Sequence, residues 1–207
     1  MKIPVDLKNR ILKILAGVSV AFGGFFAAHD FFEVEKIVEK ISAIEVCDCR
    51  ESKITRAKVT RVIDGDTVEL ANGDKIRIKG LDTPENTKKV EPYGPSATKM
   101  ARKLLENKFV ELQITENEVC DRFGRFLRVI FYENSAGKKI NFAETMVEKG
   151  LAQVYAADEF KFKKELCAAE KRARAKKLKM WSTKKIREFF DEKRTGKMTC
   201  AKYFEQN

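Results

Sequence analysis

Apolar residues recur in two distinct patterns between residues 54 and 183, and these patterns predict short strands together with helices. Ile76 and Ile78 fall on one face of a short segment and Arg77 on the other, which is the two-residue period of a half-buried strand. Four other segments alternate or are rich in β-branched residues, and turn signals such as Asn-Gly separate them. The five predicted strands are Lys58–Ile63, Thr67–Leu70, Lys75–Lys79, Phe109–Thr115 and Phe126–Tyr132.

Three further segments repeat apolar residues every three or four positions, as an amphipathic helix does. The second of them starts with an Asn141 cap, has Glu144 three residues later and stops at Gly150. The predicted helices are Pro95–Lys108, Asn141–Lys149 and Phe160–Met180. Short strands that enclose one helix and precede two more predict an α+β domain over residues 54–183. The strand count fits a five-stranded OB-type β-barrel.

The N-terminal 32 residues have the pattern of a segment that directs export. A charge-free apolar run, Ile14–Ala28, follows four basic residues and a single aspartate. A cleaved signal peptide would need small residues before the cut, but cutting after Ala28 leaves Phe26 at the −3 position. An uncleaved anchor needs roughly 17–25 residues to span the hydrocarbon, and the lopsided charge argues against a buried core helix. We favour an N-terminal apolar helix that acts as a signal-anchor in residues 1–32, and either reading exports the rest of the chain.

Two segments flank the predicted domain. Residues 33–46 carry apolar side chains at helical spacing, so residues 33–53 are predicted to form an amphipathic stalk that packs on the domain or self-associates. Residues 184–207 are predicted to form a basic helical tail whose role the sequence does not indicate. Twelve basic and two acidic residues lie between Lys161 and Arg187, and we interpret this run as a solvated helix face rather than a substrate contact.

Positive charge is concentrated in the C-terminal three quarters of the chain. Residues 1–49 carry six basic and seven acidic residues, whereas residues 50–207 carry 36 and 24. A basic domain indicates a polyanionic partner, either nucleic acid or an anionic membrane, although a basic surface that serves solubility alone has the same composition. The hydrophobic fraction of 43% excludes wholesale disorder. The five cysteines are an odd number, so at least one is expected to be free, intermolecular or mispaired.

Three short stretches carry carboxylates and arginines at a density that neither a core nor a turn requires. Asp66 and Asp82 offer hard oxygen ligands, to which a backbone carbonyl beside Asp82 can add another, and such a set suits Ca²⁺ better than a soft metal. Arg77 and Arg125 carry planar guanidinium groups that match phosphate oxygens in pairs. Glu85 remains as a base that can take a proton from water. These groups together predict hydrolysis of a phosphodiester bond.

In their order and spacing these stretches resemble the thermonuclease family, whose members contain a staphylococcal-nuclease-like domain. The resemblance covers about 125 residues, roughly from Lys58 to Ser182. The segments that carry it are Ile63–Val68, Arg77, Asp82–Glu85, Tyr93–Pro95, Asp121–Arg125, Gly150–Ala152 and Trp181–Ser182. It implies an OB-type barrel with three helices and a Ca²⁺-dependent nuclease that cleaves DNA and RNA on the 5′-oxygen side, leaving 3′-phosphate ends.

The resemblance also implies a role for each matched residue. Calcium would be held by Asp66, Asp82 and the Thr83 carbonyl. The scissile phosphate would be bound by Arg77 and Arg125, and Glu85 would act as general base or position the water.

Substrate-binding positions depart from the family's pattern. Arg122-Phe123 replaces the family's phosphate-binding Lys-Tyr pair, so Arg122 keeps a cation while Phe123 lacks a hydroxyl. Tyr155 is implied as the ring on which a nucleotide stacks. The loop between residues 86 and 92 is a few residues shorter than in the best-known member, which bears on substrate preference rather than on the reaction class.

The alternative is a catalytically degenerate module that binds nucleic acid or protein, because some relatives lack the acidic and arginine residues. A binding module would gain nothing from placing Asp66, Asp82 and Glu85 near phosphates, which they repel unless a metal is present. We therefore expect an active nuclease with nucleic acid as its substrate. It is expected to be exported and anchored in the membrane through residues 1–32, and the sequence predicts no protein partner.

Overall fold

The computed structural model describes residues 54–87, 89–114, 120–121, 123–156, 160–193 and 199–206, together with residues 3–4, 13 and 46–47. The chain forms two compact units. The first, here called the small unit, consists of Met1–Glu51 and Cys120–Phe126, and the second, the barrel unit, consists of Ser52–Val119 and Leu127–Asn207.

The strands of the barrel unit are β1 Ile54–Val62, β2 Thr67–Leu70, β3 Lys75–Ile78, β4 Leu81–Asp82, β5 Phe109–Gln113, β6 Phe126–Glu133, β7 Lys139–Asn141 and β8 Gln153–Val154. Five of them close into a barrel in the order β3-β2-β1-β5-β6, and β3 also pairs with β6. A further strand, β7, extends the sheet beyond β6. The predicted α+β fold with a five-stranded barrel is therefore confirmed.

The two-residue alternation decides which side chains fill the barrel. Ile76 and Ile78 are buried, whereas Arg77 between them lies on the other face of β3. Val59 and Val62 are both buried although they are three residues apart, because the register of β1 against β2 shifts between Val59 and Arg61. β1 also begins four residues before the predicted Lys58, since its first five residues pair with β5.

Helices surround the barrel and continue to the C terminus. They are α1 Gly94–Leu105, α2 Phe142–Glu148, α3 Lys163–Ala175, α4 Lys184–Glu192 and α5 Cys200–Gln206, with a 3₁₀ helix at Lys179–Trp181. The predicted cap of α2 is confirmed, because the Asn141 side chain accepts hydrogen bonds from the backbone N–H groups of Ala143 and Glu144.

The prediction of one long helix from Phe160 to Met180 is wrong in length. α3 ends at Ala175, and the backbone at Lys177 and Lys179 adopts φ angles of 51° and 42°. This left-handed turn ends the helix. It lets the Met180 N–H donate to the carbonyl of Gly150 at 3.1 Å and leaves the Trp181 side chain fully buried. Burial of this large ring outweighs the helical propensity of the sequence that precedes it.

The segment after residue 183 packs within the barrel unit. Phe190 of α4 is 1% exposed and forms a hydrophobic cluster with Trp181, the two rings lying edge to face with centroids 6.4 Å apart. Cys200 of α5 forms a disulfide with Cys167 of α3. Two of the five cysteines are thereby paired with each other, and Cys120 is also disulfide-bonded.

Arg174 links α3 to this C-terminal segment. Its guanidinium lies 3.7 Å from the centre of the Trp181 ring and forms ion pairs with Glu170 and Asp191. Burial by itself would lower the pKa of Arg174, but its hydrogen bond to Asp191 and the charges of Glu170 and Asp191 raise that pKa above its ordinary value. The arginine therefore stays charged and holds α3 against α4.

In the small unit, Ile3–Pro4 and Val46–Cys47 pair as two short parallel strands. The backbones of Cys120 and Phe126 form an isolated antiparallel β-bridge. Most of the predicted anchor and stalk, residues 1–32 and 33–53, lies outside the described residues. Among the helices that the structure does describe, none combines the length and the apolar character needed to cross a membrane.

Candidate active site

The carboxylate of Asp66 is buried at the beginning of β2 and bound on both of its oxygens. The turn before it is closed by the Asp64 side chain, which accepts the Asp66 N–H at 3.0 Å. Asp66 Oδ1 accepts a hydrogen bond from the Thr67 hydroxyl at 3.0 Å. Asp66 Oδ2 accepts two hydrogen bonds of 2.9 Å each, from the N–H and the hydroxyl of Thr83. These bonds fix the orientation of a carboxylate that is only 5% exposed.

Thr83 reaches Asp66 because the intervening turn has no side chain. A Cβ added to Gly65 would lie 2.7 Å from both Oγ1 and Cγ2 of Thr83, closer than such atoms approach one another. The glycine of the Asp-Gly-Asp motif is therefore required for the packing of Thr83, which is 6% exposed. Thr83 was expected to contribute its carbonyl, and the structure adds that its N–H and hydroxyl hold Asp66 in place.

Arg77 joins the two aspartates that were predicted to be metal ligands. It lies on β3 opposite Thr67 of β2, so its side chain starts one residue away from Asp66. Its guanidinium forms an ion pair with Asp66 Oδ1, and its Nη2 lies 3.7 Å from Asp82 Oδ1. The side chain of Arg77 is 18% exposed, so its charge is only partly screened by solvent. Asp66, Arg77 and Asp82 thus form one cluster.

Asp82 is oriented by a residue that the sequence analysis missed. In the antiparallel pair of β4 and β8, Gln153 lies opposite Asp82. Gln153 Nε2 donates to Asp82 Oδ2 at 2.7 Å, while the buried Gln153 Oε1 has no hydrogen-bond partner. Gln153 is the one polar residue in the buried segment of residues 151–154, and this was the signal that could have identified it. Buried polar side chains are usually hydrogen-bonded, so a buried glutamine among apolar residues is expected to have a polar partner.

The donor set of this cluster fits a hard divalent cation. Asp66 and Asp82 each place a carboxylate oxygen near the Arg77 guanidinium, Asp82 with a side chain that is 38% exposed, and the backbone of Thr83 follows directly. Carboxylate and carbonyl oxygens, completed by water, are the ligands that Ca²⁺ prefers. Within the described ranges, no three His, Cys, Asp or Glu side chains converge on one point, so the site would depend on two carboxylates.

Glu85 lies in the loop that leads from this cluster to α1, and its side chain is exposed. Its Oε2 accepts a hydrogen bond of 3.4 Å from the Thr87 hydroxyl. The backbone of Glu85 is held by Glu91, whose Oε2 accepts the Glu85 N–H at 3.1 Å and whose own N–H donates to the Glu85 carbonyl at 2.9 Å. A Cβ on Gly94 would lie 2.2 Å from that carbonyl oxygen, so only glycine fits there.

Arg125 belongs to the small unit, where Asp121 orients it. Asp121 Oδ2 accepts hydrogen bonds from Arg125 Nε at 2.7 Å and pairs with Nη2 at 2.6 Å. Asp121 Oδ1 accepts the backbone N–H groups of Phe123 and Arg125. One aspartate thus closes the turn and fixes the guanidinium, which is a role that the sequence analysis had not assigned to it. Arg122 lies outside the described residues.

Tyr155 presents an exposed ring next to β8. It is 44% exposed, and its N–H donates to the carbonyl of Gly80 at 3.0 Å, which extends the pairing of β8 with β4 by one residue. Its backbone is therefore fixed while its ring is free to stack, as a nucleotide-binding aromatic residue requires.

A model of the family described as staphylococcal nuclease homologues matches residues 75–183. An uncharacterized protein of Methanocaldococcus jannaschii is 36% identical over 149 residues, which cover 60% of this chain and 70% of that protein. The thermonuclease of Staphylococcus hyicus is 35% identical over 132 residues, which cover 60% of this chain and 75% of that protein. Endonuclease YncB of Bacillus subtilis is 31% identical over 140 residues, 64% of each chain.

The matched region contains Arg77, Asp82, Glu85 and Arg125, and more than half of the chain lies within it. The barrel together with its helices agrees with the fold expected from the sequence motifs. This chain belongs to the staphylococcal nuclease homologue family.

Proposed function

We propose that this protein is a calcium-dependent endonuclease that hydrolyses phosphodiester bonds of DNA and RNA and leaves 3′-phosphate ends. The observation that carries the proposal is the guanidinium of Arg77 held between the carboxylates of Asp66 and Asp82. The proposed cation ligands and the proposed phosphate-binding group are thereby in contact with each other. The relatives named as a thermonuclease and an endonuclease support the same reaction class.

Asp66, Asp82 and the Thr83 carbonyl would hold the calcium ion, which when bound supplies a Lewis acid for the phosphoryl group. All the hydrogen-bonding directions of Asp66 are used in the structure, by Thr67, Thr83 and Arg77. A cation that binds Asp66 therefore competes with Arg77. The guanidinium released from Asp66 becomes available to a phosphate oxygen, to which its planar donors are well matched.

The proposed reaction needs one base and two anion-binding groups. Glu85 accepts a proton from the attacking water, whose oxygen bonds to phosphorus as the bond from phosphorus to the 5′ oxygen breaks. The electron pair remains on the 5′ oxygen, which takes a proton from solvent. Arg77 and, by the family resemblance, Arg125 bind the non-bridging oxygens, where negative charge accumulates in the transition state. Tyr155 and Arg122 are proposed to bind the flanking nucleotide and phosphate.

The experiment is digestion of linear DNA, circular DNA and RNA by the full chain in Ca²⁺, in Mg²⁺ and in a calcium chelator. Cleavage of the circle in Ca²⁺ alone, with product ends that a polymerase extends only after removal of a 3′ phosphate, supports the proposal. Full activity in the chelator would remove the calcium assignment. Binding of nucleic acid without cleavage under every condition would identify the chain as a degenerate binding module.

We further propose that the chain is exported and anchored through residues 1–32, on the basis of the basic stretch followed by the apolar run. Fractionation of cells that express the full chain, followed by external protease treatment of intact cells, tests this location. An anchored protein sediments with membranes and loses its nuclease domain to the protease. A soluble chain that begins near His29 would indicate a cleaved signal, and an intact soluble protein in the cytoplasm would contradict both alternatives.

A further inference from the structure

A lysine from the C-terminal segment binds the loop that carries Glu85. Lys193 Nζ lies 2.6 Å from Glu91 Oε1, although the two residues are 102 positions apart in the chain. Glu91 is only 6% exposed, whereas the Lys193 side chain is 41% exposed. A buried carboxylate is costly unless a cation and hydrogen bonds compensate for its lost hydration. Lys193 supplies that cation.

The second oxygen of the same carboxylate holds the backbone of Glu85. Glu91 Oε2 accepts the Glu85 N–H at 3.1 Å, and the Glu91 N–H donates to the Glu85 carbonyl at 2.9 Å. Gly94, whose added Cβ would fall 2.2 Å from that carbonyl oxygen, limits movement on the other side. The position of Glu85 therefore depends on Glu91, and the position of the Glu91 carboxylate depends on Lys193.

Lys193 is itself placed by the packing of α4. Thr183 caps the helix, the ring of Phe190 is buried against Trp181, and Asp191 pairs with Arg174 at 2.8 Å. Three contacts along α4 thus fix the end from which Lys193 extends. This helix lies beyond the region 75–183 that the family model matches.

We propose that Lys193, which directly follows the C-terminal helix α4, and Glu91 are positioning residues that act through Glu85. The inference rests on the proposed function, because it requires Glu85 to act on the attacking water. A contact of this kind affects turnover rather than binding: displacement of a reacting group by 1 Å can lower the rate by about 100-fold. Partial displacement of a loop is expected to have a smaller effect.

The first test compares Lys193→Met, Lys193→Arg and the matched control Lys184→Met. Lys184 lies on α4 in an exposed pair with Glu188, at 3.7 Å and with its side chain 83% exposed. Lys193→Met is expected to lower kcat by about tenfold with substrate affinity unchanged, on the scale of a displaced catalytic group. Lys193→Arg should restore kcat, and Lys184→Met should leave it unchanged. Assays are run well below each variant's melting temperature, so that a purely structural role would not change kcat.

The second test combines Glu91→Ala with Glu85→Gln. If Glu91 acts through Glu85, Glu91→Ala lowers kcat in the wild-type chain and has no further effect in the Glu85→Gln background. Should Glu91→Ala fail to fold, Glu91→Gln removes only the charge and is expected to match Lys193→Met. Equal losses of kcat in both backgrounds, or normal turnover of Lys193→Met and Glu91→Gln, would overturn the inference while wild-type activity left the proposed function intact. A wild-type chain that does not cleave in Ca²⁺ would overturn both.

Discussion

Gln153 lies opposite Asp82 across the pairing of β4 with β8, and its Nε2 donates to Asp82 Oδ2 at 2.7 Å. The amide orientation is determined by this contact, because the opposite orientation would set an amide oxygen against a carboxylate. The bond engages one oxygen of Asp82 and leaves Oδ1, which lies 3.7 Å from Arg77 Nη2, for the proposed cation. Residues that hydrogen-bond to metal ligands orient those ligands, and their mutation typically lowers the affinity for the metal by about 10- to 100-fold.

Gln153→Met is expected to weaken calcium binding by at least about tenfold, the lower end of the effect of removing a residue that orients a metal ligand. Stability should be maintained, because methionine is of similar size and also removes the buried unpaired Oε1. Calorimetric titration of the nucleic-acid-free protein with Ca²⁺ measures the effect. Gln113→Met, on β5, is the control. Equal calcium affinities of the wild type and Gln153→Met would show that Gln153 is only a packing residue.

Arg77→Lys is expected to lower kcat by about 100-fold, the scale of losing one transition-state donor, because lysine keeps the charge but not the planar pair of donors. Calcium affinity should not fall, since a weaker competitor for Asp66 remains. Steady-state cleavage rates and calcium titration together check both statements. Arg61→Lys, in an exposed pair with Glu69, is the control for a general effect of the substitution. Near-normal turnover of Arg77→Lys would show that Arg77 is only a surface cation.

Glu85→Gln is expected to lower kcat by roughly 100-fold or more, the scale of general-base catalysis, with calcium and nucleotide affinities changed only a few-fold. In the wild type, activity should rise toward alkaline pH, because hydroxide becomes more available. Profiles of kcat against pH for both proteins provide the measurement. If affinity is lost together with kcat, Glu85 is a metal ligand and the division of roles between Asp82 and Glu85 is wrong.

Replacing both members of the Cys167–Cys200 disulfide by alanine is expected to destabilise the protein. The bridge spans 33 residues of chain. Closing such a loop corresponds to about 3–4 kcal/mol of chain entropy in the unfolded state. Urea unfolding of the double variant under oxidising conditions gives the difference directly, because the remaining cysteines are unchanged. If the free energy of unfolding of the double variant lies within about 1 kcal/mol of that of the wild type, α5 is held by packing instead. This margin allows for the usual error of about 10–15% in such extrapolations.

Local patterns in the sequence were enough to predict the barrel and to select the residues proposed for the site. The alternation around Ile76, Arg77 and Ile78 predicted a strand with its arginine on the outer face, and the structure shows this. The Asp-Gly-Asp and Asp-Thr-Pro-Glu motifs predicted that Asp66 and Asp82 lie together. These features depend on the two-residue period of strands and on short turns, whose geometry is determined by neighbouring residues.

The contacts that orient the site required the tertiary structure. Gln153 reaches Asp82 across 71 positions and Lys193 reaches Glu91 across 102, and neither pair is marked by a local motif. The end of α3 at Ala175 and the pairing of Cys167 with Cys200 likewise depend on where Trp181 and α5 pack. By itself the sequence predicted which residues carry the chemistry, because strand period and turn geometry are local. Only folding decided which distant side chains orient them, because burial brings together groups that no spacing along the chain relates.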